Sequence, residues 1–165
     1  MARRSKNDFP NVFVDESTIH GFGLFAGERV EPGCRIIDYK GERIPSGEGT
    51  TRSRDSEELT YIFTLSDKYD IDGSVNGNDA RFANHSCDGN TYVDIIRNRI
   101  WLIAQRGIAK GEEITFDYRL QAEDLHECVC GADLCFNDTA DTENEVMKKA
   151  VRRGFRSYLD GPPVR

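Results

Sequence analysis

The sequence contains no long apolar run and no feature of a secreted protein. No stretch of its 165 residues approaches the ~18–20 apolar residues that a membrane helix needs. The opening residues, MARRSKND, lack the apolar segment of a secretory signal, so an intracellular protein that does not contact a membrane is expected. The chain also has no internal repeat and no low-complexity tract, and its length fits one domain with its own core.

The sequence also lacks an excess of basic residues. It has 22 basic and 29 acidic side chains, which gives a formal net charge of −7. Nonspecific binding to nucleic acid needs a basic face, so direct nucleic-acid binding is not expected. An acidic surface suits a cationic partner such as a Lys-rich peptide, although the same charge is typical of many soluble proteins.

Cysteine is scarce and unevenly distributed. The chain has five cysteines, and an odd number in an intracellular protein argues against a disulfide framework. Three of them form the cluster 128-CVCGADLC-135, which is a spacing typical of metal ligands. Structural zinc takes four ligands, so one more must come from Cys34, Cys87, His85 or His126. The alternative is that the three thiols lie unligated in a flexible tail.

The first 120 residues predict β-structure. Short apolar or alternating runs recur between turns that contain Gly or Pro, as is typical of strands. These runs cover residues 12–14, 22–25, 35–39, 60–65, 92–96, 100–104 and 114–118. A hairpin turn is predicted at Arg97-Asn98-Arg99, and the polar segment 45–58 predicts a surface loop with a short helix at its end. The predicted fold class is therefore mainly β.

Residues 141–159 follow a different pattern. Their apolar side chains recur along one stripe of an α-helix, Thr142 with Glu145 can form a capping box, and Pro162-Pro163 ends the segment. We expect this C-terminal α-helix to pack on the domain. A dimer face or a peptide-docking face is the alternative.

Polar and reactive residues are concentrated in 81-RFANHSCDGN-90. Such a set suits a Cys–His nucleophile pair, a metal ligand, or a polar loop around a cofactor. A Gly-x-Gly turn in 20-HGFGLF-25 permits close approach of a ligand to the backbone. Alternation in 113-EITFDY-118 places Phe116 and Tyr118 on one face of a strand. Each of these signals is weak when taken alone.

Taken together and in order, the motifs resemble the SET-domain protein lysine methyltransferases with a post-SET zinc cluster. The resemblance rests on Gly21-Phe22-Gly23, 39-YKGERI-44, Tyr61, 81-RFANHSC-87, 113-EITFDY-118 and 128-CVCGADLC-135. It implies a SET domain over residues 10–120, a post-SET zinc-binding segment over 124–138 and a helical tail over 139–165. The implied fold has small β-sheets, and its last strand threads under a preceding loop as a pseudoknot.

The resemblance also implies roles for individual residues. The S-adenosylmethionine site would contain Gly21, Phe22, Gly23, Tyr61, Arg81, Phe82, Asn84, His85, Tyr118 and Val129. The catalytic residues would be Tyr118, which faces the reacting methyl group, and Tyr39 and Phe116, which line the lysine channel. The ligands of a structural zinc would be Cys87, Cys128, Cys130 and Cys135.

The implied reaction is methyl transfer from S-adenosylmethionine to the ε-amine of a lysine in a basic protein or peptide, such as a histone tail. Phe116 implies di- or trimethylation, because a tyrosine at this position in the family holds a water and stops after one methyl. Two alternatives remain. One is a His85–Cys87 nucleophile pair, for which no residue beyond Asn84 is placed to orient the imidazole. The other is a non-catalytic, zinc-stabilised peptide-binding module on the same fold.

Overall fold

The structure is a computed structural model that describes residues 9–55, 61–118, 128–133 and 135. The fold class is mainly β, as predicted. In chain order the elements are β1 (Val12–Glu16), β2 (Phe22–Ala26), β3 (Arg35–Tyr39), β4 (Glu42–Pro45), α1 (Glu48–Asp55), β5 (Ile62–Ser66), β6 (Tyr69–Asp72), a 3₁₀ turn (Asp79–Phe82), β7 (Asn84–His85), β8 (Thr91–Ile96), β9 (Arg99–Ala104) and β10 (Glu113–Phe116). No helix in these ranges has the length and apolar character to cross a membrane. The C-terminal helix predicted over 141–159 lies outside the described residues.

The strands form two sheets. The larger sheet has the order β1-β2-β10-β8-β9-β3, with the two-residue β7 paired to β10, and the smaller has the order β4-β6-β5. The β8–β9 hairpin turns at Arg97 and Asn98, whose φ angles are 51° and 60°. Positive φ at both positions matches the right-handed twist of the strands. The hairpin therefore lies where the sequence predicts it, although Arg99 already belongs to β9.

Strand β9 lies at the centre of the core. Ile100, Leu102 and Ala104 have no exposed surface, and Trp101 and Ile103 are nearly buried as well. Both faces of β9 are therefore covered, which explains why its sequence is continuously apolar instead of alternating. Each fully buried Leu or Ile contributes about 1.5–3 kcal/mol to stability.

Strand β10 lies between two segments that are far apart in the sequence. It pairs antiparallel with β2 through Glu113 and Ile114, and parallel with β7 through Thr115 and Phe116. The chain beyond β7 passes so close that a Cβ on Gly89 would lie 2.6 Å from Cα of Phe116. This insertion of the last strand beside the 84–91 segment is the arrangement that the predicted pseudoknot requires.

Asn90 holds β10 through hydrogen bonds of both its side-chain oxygen and its side-chain nitrogen. The side chain is 2% exposed, and its oxygen accepts the backbone N–H of Thr115 at 3.0 Å. Its nitrogen donates to the backbone carbonyl of Glu113 at 2.7 Å and to the carboxylate of Glu112 at 3.1 Å. A buried side chain thus supplies hydrogen bonds that a neighbouring strand would otherwise give.

The segment 45–58 departs most from the prediction, because α1 occupies most of it. The guanidinium of Arg52 lies 2.7 Å from carboxylate oxygens of Glu42, Glu48 and Asp72. The pairs with Glu42 and Asp72 fix the helix on the smaller sheet, and the pair with Glu48 lies within α1. Together they compensate for the low helix propensity of a Gly- and Thr-containing segment. The prediction also missed the strands β4 and β6.

We expect Asn90→Ala to lower the free energy of unfolding by about 2–3 kcal/mol, because buried backbone groups of Glu113 and Thr115 lose their partners. Thermal unfolding followed by circular dichroism measures the loss. Thr64→Ala, at an exposed position of β5, is the control and should shift the melting temperature by less than about 2 °C. A shift that small in Asn90→Ala would contradict the anchoring role.

Candidate active site

Tyr118 lies just beyond β10, and both of its polar groups are held. The hydroxyl donates to the carbonyl of Ala83 at 2.7 Å, and the backbone N–H donates to Nδ1 of His85 at 3.2 Å. Its ring centroid is 4.7 Å from that of Phe116. Burial of the inner part of the ring raises the pKa of the phenol to about 12, so the hydroxyl keeps its hydrogen at neutral pH. The side chain remains 40% exposed, which leaves its outer part open.

Phe63 connects this end of the site to Tyr39. Its ring centroid lies 5.8 Å from that of Phe116 and 5.2 Å from that of Tyr39. Tyr39 is 8% exposed, its hydroxyl donates to the carbonyl of Tyr61 at 2.8 Å, and burial raises its pKa. We call the four rings of Tyr39, Phe63, Phe116 and Tyr118 the aromatic row. Phe116 thus packs directly on Tyr118, whereas Tyr39 is connected to them by Phe63, which the prediction did not assign to the site.

The Gly21-Phe22-Gly23 turn leads into β2 and is held by Asn84. Gly21 has φ +47°, a backbone conformation that favours glycine. Nδ2 of Asn84 donates to the backbone carbonyls of His20 at 3.2 Å and Phe22 at 3.1 Å. Asn84 therefore contacts the backbone of the turn, while the ring of Phe22 is 58% exposed beside it.

Three further residues of the predicted cofactor site lie next to this turn. The ring of Phe82 is 6.3 Å from Phe22 and 6.5 Å from Tyr61, both in edge-to-face geometry. The guanidinium carbon of Arg81 lies 4.8 Å from the Phe82 ring centroid, and Nη1 of Arg81 donates to the carbonyl of Gly73 at 3.4 Å. Predicted residues from three separate segments therefore converge.

The cysteine cluster reaches the 84–87 segment. Sγ of Cys87 is 4.0 Å from Sγ of Cys128, and the backbone N–H of Cys87 donates to Sγ of Cys130 at 3.5 Å. Ligand atoms of Cys87, Cys128, Cys130 and His85 all lie within 4.8 Å of one another. Cys135 is 3% exposed, and its thiol donates to the carbonyl of Cys128 at 3.9 Å. Among the described residues, the group of possible ligand atoms thus contains three of the four predicted cysteines and His85, while Cys135 lies against the backbone of Cys128.

The hydrogen bonds of His85 determine which of its ring nitrogens carries the hydrogen. Its Nδ1 accepts the N–H of Tyr118, so the neutral ring carries its hydrogen on Nε2, which lies 3.3 Å from Sγ of Cys87. In this tautomer Nε2 is a donor to sulfur. Burial lowers the pKa of His85, which favours the neutral ring. Burial also raises the pKa of Cys128 to about 11. At Cys130 burial acts in the same direction, but hydrogen bonds from backbone N–H groups and from the neighbouring thiols together outweigh it and lower the pKa to about 7.

Three predicted positions remain, namely Cys34, His126 and Val129. Cys34 packs against the main core, and its thiol donates to the carbonyl of Arg35 at 3.7 Å. His126 lies outside the described residues. Val129 stands between two of the clustered cysteines and is 68% exposed.

Two residues of this site have signals in the sequence that the prediction did not use. Phe63 follows Tyr61 by two residues, so alternation along the strand places both side chains on one face. Glu113 opens the EITFDY motif, and Nδ2 of Asn84 donates to its carboxylate at 2.8 Å. Neither signal identifies a partner without the fold.

Known proteins match this chain in sequence over most of its length. A family model described as the SET domain matches residues 21–119. The histone-lysine N-methyltransferase trithorax of Drosophila virilis is 39% identical over 141 residues, which are 81% of this chain and 4% of that protein. Histone-lysine N-methyltransferase 2D of Homo sapiens is 34% identical over 144 residues, which are 81% of this chain and 3% of that protein. The chain therefore spans a small part of these relatives.

Solved structures match it as well. A chain in the crystal structure of the Chaetomium thermophilum polycomb repressive complex 2 superposes with a TM-score of 0.62 and 32% identity, over 69% of this chain and 16% of that one. A chain in the structure of ctPRC2 in complex with H3K27me3 and H3K27M gives a TM-score of 0.63 and 34% identity, over 67% of this chain and 15% of that one. Identity of about a third on a shared fold indicates common ancestry.

Proposed function

Because the chain belongs to the SET-domain family, we propose that it is a protein-lysine N-methyltransferase that uses S-adenosylmethionine. The observation that carries the proposal is the setting of Tyr118, which ends the aromatic row, has its hydroxyl held on Ala83 and keeps one open side. Relatives with 34–39% identity are named histone-lysine N-methyltransferases, which supports the same activity here.

The chemistry around the glycine turn fits this cofactor. Exposed aromatic faces of Phe22 and Tyr118 suit an adenine ring or a sulfonium cation, and a glycine turn allows close contact with the backbone. When bound, S-adenosylmethionine would supply an electrophilic methyl group on sulfur for transfer to the neutral lysine nitrogen. We assign to this site Gly21, Phe22, Gly23, Tyr61, Arg81, Phe82, Asn84, His85 and Tyr118, with Val129 as a cover from the post-SET side.

Tyr118 acts through the direction of its hydroxyl. The hydrogen is donated to the carbonyl of Ala83, so the oxygen lone pairs are left to face a positively charged methyl donor. Contacts of the C–H···O type with a polarised methyl are worth less than ordinary hydrogen bonds, but they favour the in-line alignment that transfer needs. A neutral phenol is suited to this role, because its raised pKa keeps it protonated in the working range.

The aromatic row suits the side chain of the substrate lysine. Neutralising a lysine of pKa about 10.4 at pH ~7.4 costs about 4 kcal/mol. The buried rings of Tyr39 and Phe116 exclude water and disfavour the ammonium form, and a nearby sulfonium acts in the same direction. A protein carboxylate is therefore not required as the base.

The substrate we propose is a basic protein or peptide, such as a histone tail. The net charge of −7 favours a cationic partner, and the relatives above act on histone lysines according to their names. We propose di- or trimethylation, because Phe116 brings no hydroxyl that would hold a water beside the amine. Residues 10–120, 124–138 and 139–165 would serve as SET domain, post-SET segment and helical tail.

We propose that a structural zinc is held by Cys87, Cys128, Cys130 and Cys135. Tetrahedral zinc with Zn–S bonds of ~2.3 Å places sulfur atoms about 3.8 Å apart, close to the 4.0 Å between Cys87 and Cys128. In the tautomer described above, His85 donates from Nε2 to the Cys87 sulfur, which leaves the four positions to thiolates. Zinc would fasten the post-SET segment beside Tyr118.

The activity is tested by incubating the zinc-loaded chain with histones and labelled S-adenosylmethionine. We expect lysine methylation that falls roughly 10²-fold in Tyr118→Phe, since alignment at the methyl group is lost. Asn84→Ala should weaken cofactor binding in calorimetry. Tyr69→Phe changes an exposed tyrosine on β6 and serves as the matched control. Binding of the cofactor without transfer to any basic protein would instead favour the non-catalytic peptide-binding module.

Phe116→Tyr is expected to shift the product toward monomethyl-lysine. The side chain is 6% exposed between Phe63 and Tyr118, so an added hydroxyl would have to occupy space beside the reacting amine. Mass spectrometry of the methylated peptide measures the distribution, with Phe13→Tyr on the exposed side of β1 as the control. An unchanged distribution in an active Phe116→Tyr enzyme would refute this assignment.

The purified chain should contain about one zinc ion, because a closed thiolate site binds the metal tightly. Inductively coupled plasma mass spectrometry counts the metal independently of activity. Cys130→Ser should lose most of it, whereas Cys34→Ser, at a thiol that packs on the core, should retain it. Full zinc content in Cys130→Ser would show that the ligand set is wrong.

A further inference from the structure

Glu113 stands where β10 changes partners. Its backbone pairs with Phe25 of β2, and two residues later Thr115 pairs with Asn84 of β7. The Glu113 side chain is partly buried on the side of the sheet that carries the glycine turn. The mechanism described above gives it no role.

Two donors from distant segments meet on one oxygen of Glu113. Oε1 accepts the hydroxyl of Ser17 at 2.8 Å and the amide of Asn84 at 2.8 Å. Ser17 precedes β2 and Asn84 lies in β7, so the carboxylate joins three parts of the chain at a single atom.

Each of these donors also holds the backbone between residues 17 and 22. The Ser17 oxygen accepts the backbone N–H groups of Ile19 at 3.0 Å and His20 at 3.4 Å. Asn84 donates to the carbonyls of His20 and Phe22 from the other side. The turn is thus held by hydrogen bonds to two side chains, and both of these side chains donate to the carboxylate of Glu113.

Gly23 supports the same conclusion. A Cβ built on Gly23 would lie 2.8 Å from Cδ of Glu113, so the carboxylate rests against the bare backbone of this residue. The carboxylate cannot move aside without giving up its hydrogen bonds to Ser17 and Asn84. The second glycine of the Gly-x-Gly turn is therefore required by Glu113 as well as by any ligand.

We propose that Glu113 is a positioning residue, which acts as a hydrogen-bond acceptor to fix the 17–23 turn and Asn84 relative to each other. It touches neither cofactor nor substrate and acts through the residues that do. This role rests on the proposed function, because the turn and Asn84 are assigned there to S-adenosylmethionine.

The test compares Glu113→Gln with Glu113→Ala by calorimetric titration of S-adenosylhomocysteine. Glutamine keeps an acceptor oxygen at the position of Oε1, which can accept from both Ser17 and Asn84, and it loses only the second contact of the Ser17 hydroxyl, at 3.0 Å to Oε2. Alanine removes all three contacts. We expect alanine to raise Kd about tenfold or more and glutamine to keep Kd within about threefold of wild type. In kinetics, alanine should raise the cofactor KM more than it lowers kcat. Glu31→Ala, at an exposed carboxylate paired with Arg29, is the control.

A second measurement needs no cofactor. Hydrogen exchange at the amides of Ile19 and His20 should be faster in Glu113→Ala than in Glu113→Gln or wild type. If Glu113→Ala fails to fold, Ser17→Ala breaks one arm of the same arrangement and should show faster exchange and a higher Kd.

Three results would overturn the proposal. The first is an equal loss of affinity in the glutamine and alanine variants, which would assign the effect to charge. The second is wild-type affinity in Glu113→Ala. The third is an unchanged exchange rate and an unchanged Kd in Ser17→Ala. A wild-type chain that binds no S-adenosylhomocysteine would reject the proposed function instead. In that case the exchange rates alone decide whether Glu113 positions the turn.

Discussion

The structure depends on the backbone pairing of β10 with strands on both of its sides. On one side β10 continues the sheet of β2, and on the other it pairs in parallel with the short β7 and with β8. This pairing sets the position of every side chain that β10 carries. Glu113 meets the glycine turn, Phe116 meets the aromatic row, and Tyr118, just beyond the strand, reaches the carbonyl of Ala83.

The polar groups of the aromatic row form hydrogen bonds with the backbone. Tyr39 and Tyr118 both donate to carbonyls, and burial raises the pKa of both phenols. His85 is held neutral between Tyr118 and Cys87. The row therefore presents neutral groups and aromatic faces, which suit the neutral amine and the sulfonium cation of the proposed reaction.

The sequence predicted the elements whose signal is local. Strand β3 matches its predicted run residue for residue, and the β8–β9 hairpin turns at the predicted position. The helix α1 was harder to predict, because its stability comes from Arg52 contacting Glu42 and Asp72, which lie 10 and 20 residues away. The motifs predict Asn84 and Tyr118 as site residues, whereas the contacts of Phe63 and Glu113 follow only from packing. The relation of His85 to the cysteines likewise follows from a tautomer that no spacing encodes.

The contact between Ser17 and Glu113 spans 96 positions of the chain. Loops of this length close slowly, and folds dominated by such contacts have high contact order and low folding rates. The glycine turn cannot take its final shape until β10 has been inserted. We therefore expect a partly folded chain to lack the ordered glycine turn, so that the proposed cofactor site would form late in folding.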